Sequence, residues 1–401
     1  MKILLVVFSL VATCTLVASP AAAAQFSVVG PRALGMGGAS VAAVNDSTAV
    51  YWNPAALADF SRVDIRIPVS LAGRDHVGIK DKWDRINTID TLVQNNDPAA
   101  INETLRLLDD LNKPKSGADI DGSAGLLVSV PIGSSAFALS GMGMMNAGIY
   151  PTMDTLNTSA TFSAANFVGN NNSGVTGIGM TTVEPAVTYS TSFGSKLFVG
   201  ANAKMIYAKT YVQSVRLKSD TFNTFKDDLD KSKTSTSKAA ADAGILFKPL
   251  EQFAIGLVGR NLNSPAFPVS GNFAVKDPVT GAVSLSHQRK EIELEPQYRA
   301  GIAWKPFQTF TMAVDYDLNK NKTFTPGFED QTIAVGLEKT LFSEYLNIRL
   351  GAYKNLAESG TKAVYTAGLG FRLFALRLDL AGAYNSDKDE VQASVDLALR
   401  F

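Results

Sequence analysis

The sequence is poor in the residues that build disulfides, metal centres and histidine-based active sites. Its 401 residues include one cysteine, Cys14, and two histidines, His76 and His287. Cys14 lies inside a predicted signal peptide, and the apolar residues 16–18 after it disfavour lipoprotein cleavage. The mature chain is therefore expected to lack cysteine, which excludes disulfides and thiolate metal sites. Because a zinc or hydrolase site would need the two histidines to converge with partners, we predict no enzyme activity, metal or cofactor.

A surplus of one charge and long apolar runs are missing as well. Lys+Arg and Asp+Glu number 37 each, so the basic surplus of a nucleic-acid partner is absent. Beyond the first 24 residues, no stretch approaches the roughly 18 consecutive apolar residues of a membrane helix. Yet 46% of the residues are apolar, with 22 Phe and 11 Tyr. A chain that is apolar overall but has no apolar run is typical of a β-barrel whose apolar residues face lipid at every second position.

The first 24 residues predict a cleaved secretory signal peptide. Lys2 precedes the apolar residues 3–17, and Ala22-Ala23-Ala24 forms an A-x-A cleavage motif before Gln25. We therefore expect export across the inner membrane and an outer-membrane location.

The C-terminal residues carry the clearest structural pattern. Apolar and polar or small residues alternate from Val391 to the terminal Phe401. This period of two is that of a strand with one apolar and one polar face. An aromatic last residue resembles the C-terminal signature of bacterial outer-membrane barrels.

Similar alternation predicts an all-β fold, an up-and-down antiparallel transmembrane barrel over residues 61–401. The fourteen predicted strands are 63–72, 122–131, 134–147, 181–192, 195–216, 239–248, 251–262, 297–305, 309–318, 330–340, 345–354, 363–373, 375–385 and 390–401. Long connections alternate with short ones, as expected for long outer loops and short periplasmic turns. An even strand number places both termini in the periplasm.

Two segments depart from the barrel pattern. The first outer loop, 73–121, holds a predicted helix that begins with Asp97 and Pro98. This helix either packs on the barrel mouth or binds a partner. Residues 25–60 are glycine-rich and too irregular for a spanning strand, and we predict that they fold inside the lumen and plug it.

The plug sequence resembles the N-terminal hatch of FadL-type proteins. The resemblance rests on residues 35–39 (Gly-Met-Gly-Gly-Ala), on Asp46 and on residues 51–55 (Tyr-Trp-Asn-Pro-Ala). This superfamily includes fatty-acid and aromatic-hydrocarbon transporters, PorV-like secretion proteins and TraF-like conjugal-transfer proteins. The helical insertion and the charged residues 226–231 favour the TraF-like branch. The resemblance implies a fourteen-stranded barrel whose hatch and gating positions are Gly35, Gly37, Gly38, Trp52, Asn53, Pro54 and Ala55.

Other motifs carry weaker hypotheses. Residues 35–40 lack the third spaced glycine and the strand–helix context of a dinucleotide loop. Met142, Met144 and Met145 form either a hydrophobic groove through which a ligand enters or lipid-facing wall. The aspartates at 227, 228 and 230 lack the spacing of an EF-hand.

Two functions fit the predicted barrel and its N-terminal plug. The first, which the resemblance implies, is passive uptake of hydrophobic small molecules by movement of the hatch and lateral exit through the barrel wall. The second is a barrel without transport activity that serves as a scaffold for a conjugation or secretion apparatus. The expected partners are outer-membrane lipid and either a hydrophobic ligand or an envelope protein, and not nucleic acid. A channel needs a continuous apolar path from the outer loops to the hatch, whereas a scaffold permits a filled or polar lumen. A lipid hydrolase would require a Ser–His pair that the sequence does not place.

Overall fold

The computed structural model describes residues 26–76, 78–95, 97–155, 172–216, 225–385 and 389–401. The predicted signal peptide, 1–24, lies outside the described residues, as do residues 156–171 and 217–224 of two predicted outer loops.

Fourteen antiparallel strands close into one barrel, in which each strand pairs with the next barrel strand along the chain and the last pairs with the first. They are β1 (Asp64–Asp75), β2 (Ala118–Ile132), β3 (Ser135–Thr152), β4 (Gly174–Phe193), β5 (Leu197–Arg216), β6 (Thr234–Leu250), β7 (Phe253–Arg260), β10 (Gln297–Phe307), β11 (Phe310–Asp317), β14 (Thr332–Leu341), β15 (Leu346–Asn355), β16 (Val364–Leu373), β17 (Leu376–Asn385) and β18 (Glu390–Arg400). The predicted strand number and up-and-down order are confirmed.

Two hairpins lie outside the barrel sheet. They are β8 (Ala266–Lys276) with β9 (Val283–Glu293), and β12 (Asn321–Lys322) with β13 (Glu329–Asp330). The long connection between β7 and β10 therefore contains a hairpin that the sequence pattern does not predict. Pro268 and Gly271 within β8 obscured it, since both residues argue against a regular strand.

The outer face of the barrel is apolar and the inner face is polar. On β15, for example, Leu350 is 56% exposed on the outside while the neighbouring Arg349 is buried inside. The same alternation on the other barrel strands makes a continuous apolar outer surface, which lipid covers without the cost that water would impose. Among the described residues, no helix combines the length and the apolar character needed to cross a bilayer.

The first and last strands close the barrel along their full lengths. Their register runs from Asp64 opposite Arg400 to Arg74 opposite Glu390. Beyond the strand end, Val63 N donates to Phe401 O at 3.0 Å and Phe401 N donates back to Val63 O at 3.1 Å. Phe401 thus extends the closing ladder, and its assignment as a C-terminal barrel signature stays a prediction.

The pairing of neighbouring strands is interrupted at two prolines. Between β1 and β2 it stops after Arg66 opposite Leu127 and resumes at Val69 opposite Ala124. Pro68 lies in this interruption, and a proline has no N–H to donate to the ladder. The pairing of β4 with β5 is interrupted in the same way at Pro185.

The first outer loop contains two helices. These are α3 (Ile79–Gln94) and α4 (Ala99–Leu111). Asp97 caps α4 by accepting a hydrogen bond from Ala99 N at 2.8 Å, as the sequence predicts. α3, which the prediction left as loop, packs on α4 through Arg85, whose Nε lies 2.6 Å from Glu103 Oε1. A partner-binding role for these helices stays a prediction.

The alternation predicts the effect of a charge on the outer face. Replacing Leu350 with Arg is expected to lower the free energy of unfolding in phospholipid vesicles by about 2–4 kcal/mol, because the charge would face hydrocarbon. Leu285→Arg, an exposed position of the off-barrel strand β9, is the control and should change stability little. Equal effects of the two substitutions would contradict the assignment of the outer face to lipid.

Candidate functional site: the N-terminal segment in the lumen

Residues 26–60, which we call the N-terminal segment, lie among the inward side chains of the barrel. The segment contains two short α-helices, α1 (Pro31–Gly35) and α2 (Ala49–Trp52), and the 3-10 helix η1 (Pro54–Asp59). Helix α1 contacts β15–β18, and η1 contacts β2–β6. The segment therefore spans the lumen between two different parts of the inner wall. Nearly all its residues are buried.

Glycine is required where the segment approaches the wall after α1. Gly37 and Gly38 have φ values of 66° and 86°, which side chains rarely adopt. A Cβ on Gly37 would also lie 2.6 Å from Val335 O and 2.7 Å from Ala352 O. Gly37 therefore lies where the backbone of the segment meets the backbone of the wall, whereas Gly38 is required for its backbone conformation alone.

Asn53 joins three parts of the structure. Its Oδ1 accepts from Ala55 N at 3.1 Å, which caps η1. Its Nδ2 donates to Val41 O at 2.9 Å and to Ile245 O, on β6, at 3.1 Å. Pro54 follows at the first helical position, where its missing N–H costs nothing.

Three aromatic side chains form the centre of the segment. Phe26, Tyr51 and Trp52 pack with ring centroids 5.5–5.6 Å apart. Trp52 is fully buried and its Nε1 donates to Val29 O at 2.8 Å. The segment therefore has an apolar core of its own in addition to its contacts with the wall.

A chain of ion pairs attaches α1 to the barrel. Arg32 Nη2 lies 2.7 Å from Glu338 Oε1, and Glu338 Oε2 lies 2.7 Å from Arg349 Nε. Arg349 Nη1 in turn lies 2.5 Å from Asp379 Oδ1. All four side chains are buried. Replacing any one of them with a neutral residue would therefore leave a buried charge without its partner.

A second set of ion pairs surrounds Arg66 of β1. Its guanidinium lies 2.5 Å from Asp396 and 3.8 Å from Asp46 of the segment. Burial favours the neutral acid, but the positive charges of Arg66 and Arg32 outweigh it and hold the pKa of Asp46 at about 2. Asp46 therefore stays ionised over the physiological pH range.

The wall also binds the backbone of the segment directly. Asp315 Oδ2, on β11, accepts from Ser40 N at 2.7 Å and from Val41 N at 2.8 Å. Asp315 carries no sequence signal of this contact, because an inward carboxylate is ordinary in a polar lumen.

Seven glycines on the inner wall, which we call the glycine belt, face the segment. They are Gly200, Gly244, Gly256, Gly301, Gly336, Gly351 and Gly368. A Cβ at any of them would collide with atoms of residues 35–55. At Gly301 it would also collide with the Asp315 side chain. Six form direct cross-strand pairs: 200 with 244, 256 with 301, and 336 with 351. The sequence signal that could have revealed them is glycine at inward positions of neighbouring strands.

The three methionines of the predicted groove do not share one surface. Met142 is buried inside the barrel against the segment, and Met144 packs on the same apolar cluster. Met145 is exposed on the outer face. Consecutive residues of a strand point to opposite faces, which separates the pair at 144 and 145.

An apolar cluster, the mouth cluster, lies at the end of the barrel with the long loops. It is formed where β8 and β9 fold against the inner faces of β4–β6, and its buried members include Met180, Phe267, Phe273, Ile292 and Leu294. A cavity of about 20 Å³ lies between this cluster and the N-terminal segment. It is lined by Met144, Met180, Leu294 and Tyr51 and by polar and charged side chains that include Glu184, Lys204 and Arg260.

The opposite side of the mouth is polar. A cavity of about 50 Å³ there is lined by His76, Arg74, Arg299, Asp330 and Glu390 among others. His76 stacks on Phe328 at 3.9 Å between ring centroids. His287 lies on β9, where its Nε2 is 3.1 Å from Ser270 Oγ.

The apolar outer surface, the closed fourteen-stranded sheet and the segment among its inward side chains define an outer-membrane β-barrel with the FadL-type fold. The chain belongs to the family described as "F plasmid transfer operon, TraF, protein", whose model matches residues 50–317. No curated protein sequence matches it.

Three solved structures have the same fold. The toluene transporter TbuX of Ralstonia pickettii superposes with a TM-score of 0.58 at 11% identity, over 93% of this chain and 98% of that one. The P. putida toluene transporter TodX gives 0.57 at 12%, over 94% and 99%. A Pseudomonas aeruginosa FadL homologue gives 0.55 at 11%, over 94% and 98%.

The glycine belt predicts how a single methyl group would disturb the segment. At Gly351 a Cβ would lie 2.8 Å from Thr366 Oγ1 and closer still to Gly37 N. Gly351→Ala should therefore displace the segment, destabilise the protein by about 1–3 kcal/mol and raise single-channel conductance in planar bilayers. Gly382→Ala, whose nearest atom would be 3.7 Å away, is the matched control. Unchanged conductance in Gly351→Ala would contradict the assigned contact.

Proposed function

We propose that this protein is an outer-membrane channel for small hydrophobic molecules, with the N-terminal segment as its hatch. The observation that carries the proposal is a row of apolar side chains that leads from the mouth cluster, past a small cavity of mixed polar and apolar lining, to the wall beside β1. The toluene transporters and the FadL homologue share the fold over nearly their whole lengths, which supports the same class of cargo.

The route begins at the mouth cluster and passes the small cavity. Met180 and Leu294 belong to the cluster and also line the cavity, together with Met144. Met144 packs on the apolar cluster that contains Met142. Methionine adapts its shape to different neighbours, so this row suits a passage that a ligand opens as it moves.

The proposed exit is the interruption of pairing between β1 and β2. Pro68 stands opposite Gly125 there, where the strands are not paired. The side chain of Met142 fills the space beside Gly125 on the inner wall. Rotation of Met142 would join the route to the interruption, and a hydrophobic molecule would leave sideways into the lipid.

A second candidate function rests on the charged lumen. Ion pairs such as Arg32–Glu338 and Arg66–Asp46 attach the N-terminal segment to the wall inside the space that a channel must open. Together with the family described by the F plasmid transfer operon, they favour a scaffold that assists a conjugation apparatus. A scaffold needs no movement of the segment, which is the difference that an experiment can measure.

Locking the segment is expected to stop transport. Ser27 Oγ of the segment and Asn146 Nδ2 of β3 are 3.5 Å apart, so Ser27→Cys with Asn146→Cys places two thiols within reach of a short bis-methanethiosulfonate crosslinker. Uptake of radiolabelled toluene by cells carrying the crosslinked double variant should fall to the level of cells without the protein. Reductant should restore it, and each single variant should transport normally. Absence of uptake by the unmodified protein would overturn the channel and favour the scaffold.

Filling the proposed exit is expected to slow transport without closing the mouth. At Gly125 a side chain would collide with the Met142 sulfur and lie 3.0 Å from Gly141 O. Gly125→Val should therefore reduce toluene uptake severalfold. Gly141→Val, on the adjacent strand where a Cβ meets nothing within 4 Å, is the control. Equal uptake by both variants would rule out this exit.

A further inference from the structure

The short turns at one end of the barrel differ in which residues adopt positive φ values. The β2–β3 and β4–β5 turns place Gly133 and Gly194 at φ values of 63° and 66°, which a glycine adopts without strain. The β14–β15 turn instead begins with Phe342 at 51°, and the β16–β17 turn begins with Phe374 at 56°. This conformation is strained for a phenylalanine. A bulky ring therefore occupies two positions where glycine would suit the backbone better.

Both rings are exposed rather than packed on the barrel. Phe342 is 75% exposed and Phe374 is 80% exposed. Tyr345, which lies in the same turn as Phe342, is 52% exposed. We call residues 342–345 and 374–375 the phenylalanine turns. Because rings this exposed add little packing within the barrel, contacts inside the protein do not explain why the strain is kept.

Contact with lipid does not explain the rings either. The lipid-facing row of β14 is apolar up to Leu337 and then reaches Lys339, and a lysine in such a row marks the place where the hydrocarbon ends. Phe342 follows three residues beyond Lys339. Strand register places Leu369 of β16 level with Lys339, and Phe374 follows five residues beyond Leu369. Both rings therefore lie on the aqueous side of the limit that Lys339 marks.

The two phenylalanine turns are attached to each other. Glu344 Oε2 lies 2.7 Å from Arg372 Nη1 and 2.9 Å from Arg377 Nη2. Arg372 N donates to Tyr345 O at 3.0 Å, and Arg372 Nε donates to Phe374 O at 3.1 Å. The turns therefore hold a fixed arrangement before a partner binds, which reduces the conformational entropy lost on binding.

This end of the barrel also has a surplus of positive charge, although the whole chain is balanced at 37 of each sign. The short turns and the strand ends beside them include eight lysines and arginines and four aspartates and glutamates. These are residues 58–64, 131–136, 193–198, 247–254, 304–311, 339–347, 371–377 and 399–401. Arg372 and Arg377 are paired across strands and alternate with lipid-facing residues. The wall therefore separates them from lipid phosphates, and an anionic partner must come from the aqueous side.

We propose that the phenylalanine turns are a docking surface for a periplasmic protein that presents carboxylates around an apolar pocket. Aromatic and arginine side chains held in a fixed arrangement are the residues that contribute most to binding at protein interfaces. A partner that buries the rings of Phe342 and Phe374 stabilises them where the barrel alone does not. The predicted orientation of the chain places the short turns in the periplasm. The inference goes beyond the channel proposal and holds whether or not the barrel transports a ligand.

The test places the photoreactive amino acid p-benzoylphenylalanine at position 342 or at position 374 of the full chain in living cells. Protein synthesis is stopped before irradiation, so that only assembled barrels are sampled. Both positions are expected to form an adduct with the same protein, and mass spectrometry should map each adduct to a segment rich in aspartate and glutamate. Ser195, which is exposed beside Gly194 in the β4–β5 turn, is the control position and should give no such adduct.

Substitutions separate docking from stability when the photoreactive residue is placed at position 345 as the reporter. Phe342→Gly with Phe374→Gly removes both the rings and the strain. The adduct should therefore be lost while the temperature at which the barrel unfolds on gels stays unchanged or rises. Phe193→Gly, which removes an exposed ring from the lipid-facing row of β4, is the matched control and should leave the adduct unchanged.

Charge reversal tests the carboxylates of the partner with the same reporter. Arg62→Glu with Lys305→Glu reverses two exposed cations at this end of the barrel and should reduce the yield of the adduct severalfold. Lys233→Glu with Lys238→Glu reverses two exposed cations at the opposite end and should leave the yield unchanged. Heat-dependent migration on gels shows that each variant is a folded barrel before it is compared.

Three results would overturn the docking surface: adducts with phospholipid alone, adducts of equal yield from position 195, and a mapped segment without a surplus of carboxylates. Absence of any protein adduct from folded barrels that carry the photoreactive residue would overturn it as well. Failure of the channel is a separate result, because absence of toluene uptake by the unmodified protein leaves the docking surface standing.

Discussion

Inside a bilayer, a backbone N–H or C=O without a partner costs several kcal/mol, because hydrocarbon offers no hydrogen bonds. The chain meets this constraint by closing fourteen strands into a ring, with β18 returning to β1 over its whole length. The alternation of side chains follows from the ring. One face must be apolar for lipid, and the other is free to be polar because it never contacts lipid.

A polar lumen then determines how an irregular segment is held inside it. The N-terminal segment has few backbone–backbone hydrogen bonds with neighbouring strands, so side chains of the segment and of the wall join the two instead. Asp315 accepts from two of its amides and Asn53 donates to Ile245 O. The Arg32–Glu338 pair neutralises its buried charge. The segment is thus held by individual side-chain contacts, whereas the strands are held by the continuous ladder of the sheet.

The sequence predicts the barrel well, because a period of two repeated along a long chain is a strong local signal. It predicts the outer elements less well. β8 lies on the inside of the mouth and contains Pro268 and Gly271, and α3 lies in a loop where no regular pattern was recognised. Contacts between residues that are far apart in the chain produce no local sequence pattern. Arg260 and Tyr51 are such a pair, and the sequence around each of them shows nothing unusual. The hatch glycines were found through resemblance, whereas the belt glycines required the register of the strands.

The glycine belt has a consequence for how this chain can vary among its relatives. Where a side chain faces another side chain, a change of size on one surface is absorbed by a rotamer change on the other. At Gly37, the backbone of the segment lies against the backbone of Val335 and Ala352 in the wall. No side chain lies at this contact that could absorb a change by adopting another rotamer. A residue with a side chain in the belt would therefore require a different path of residues 35–55, and the two regions are constrained to change together or not at all.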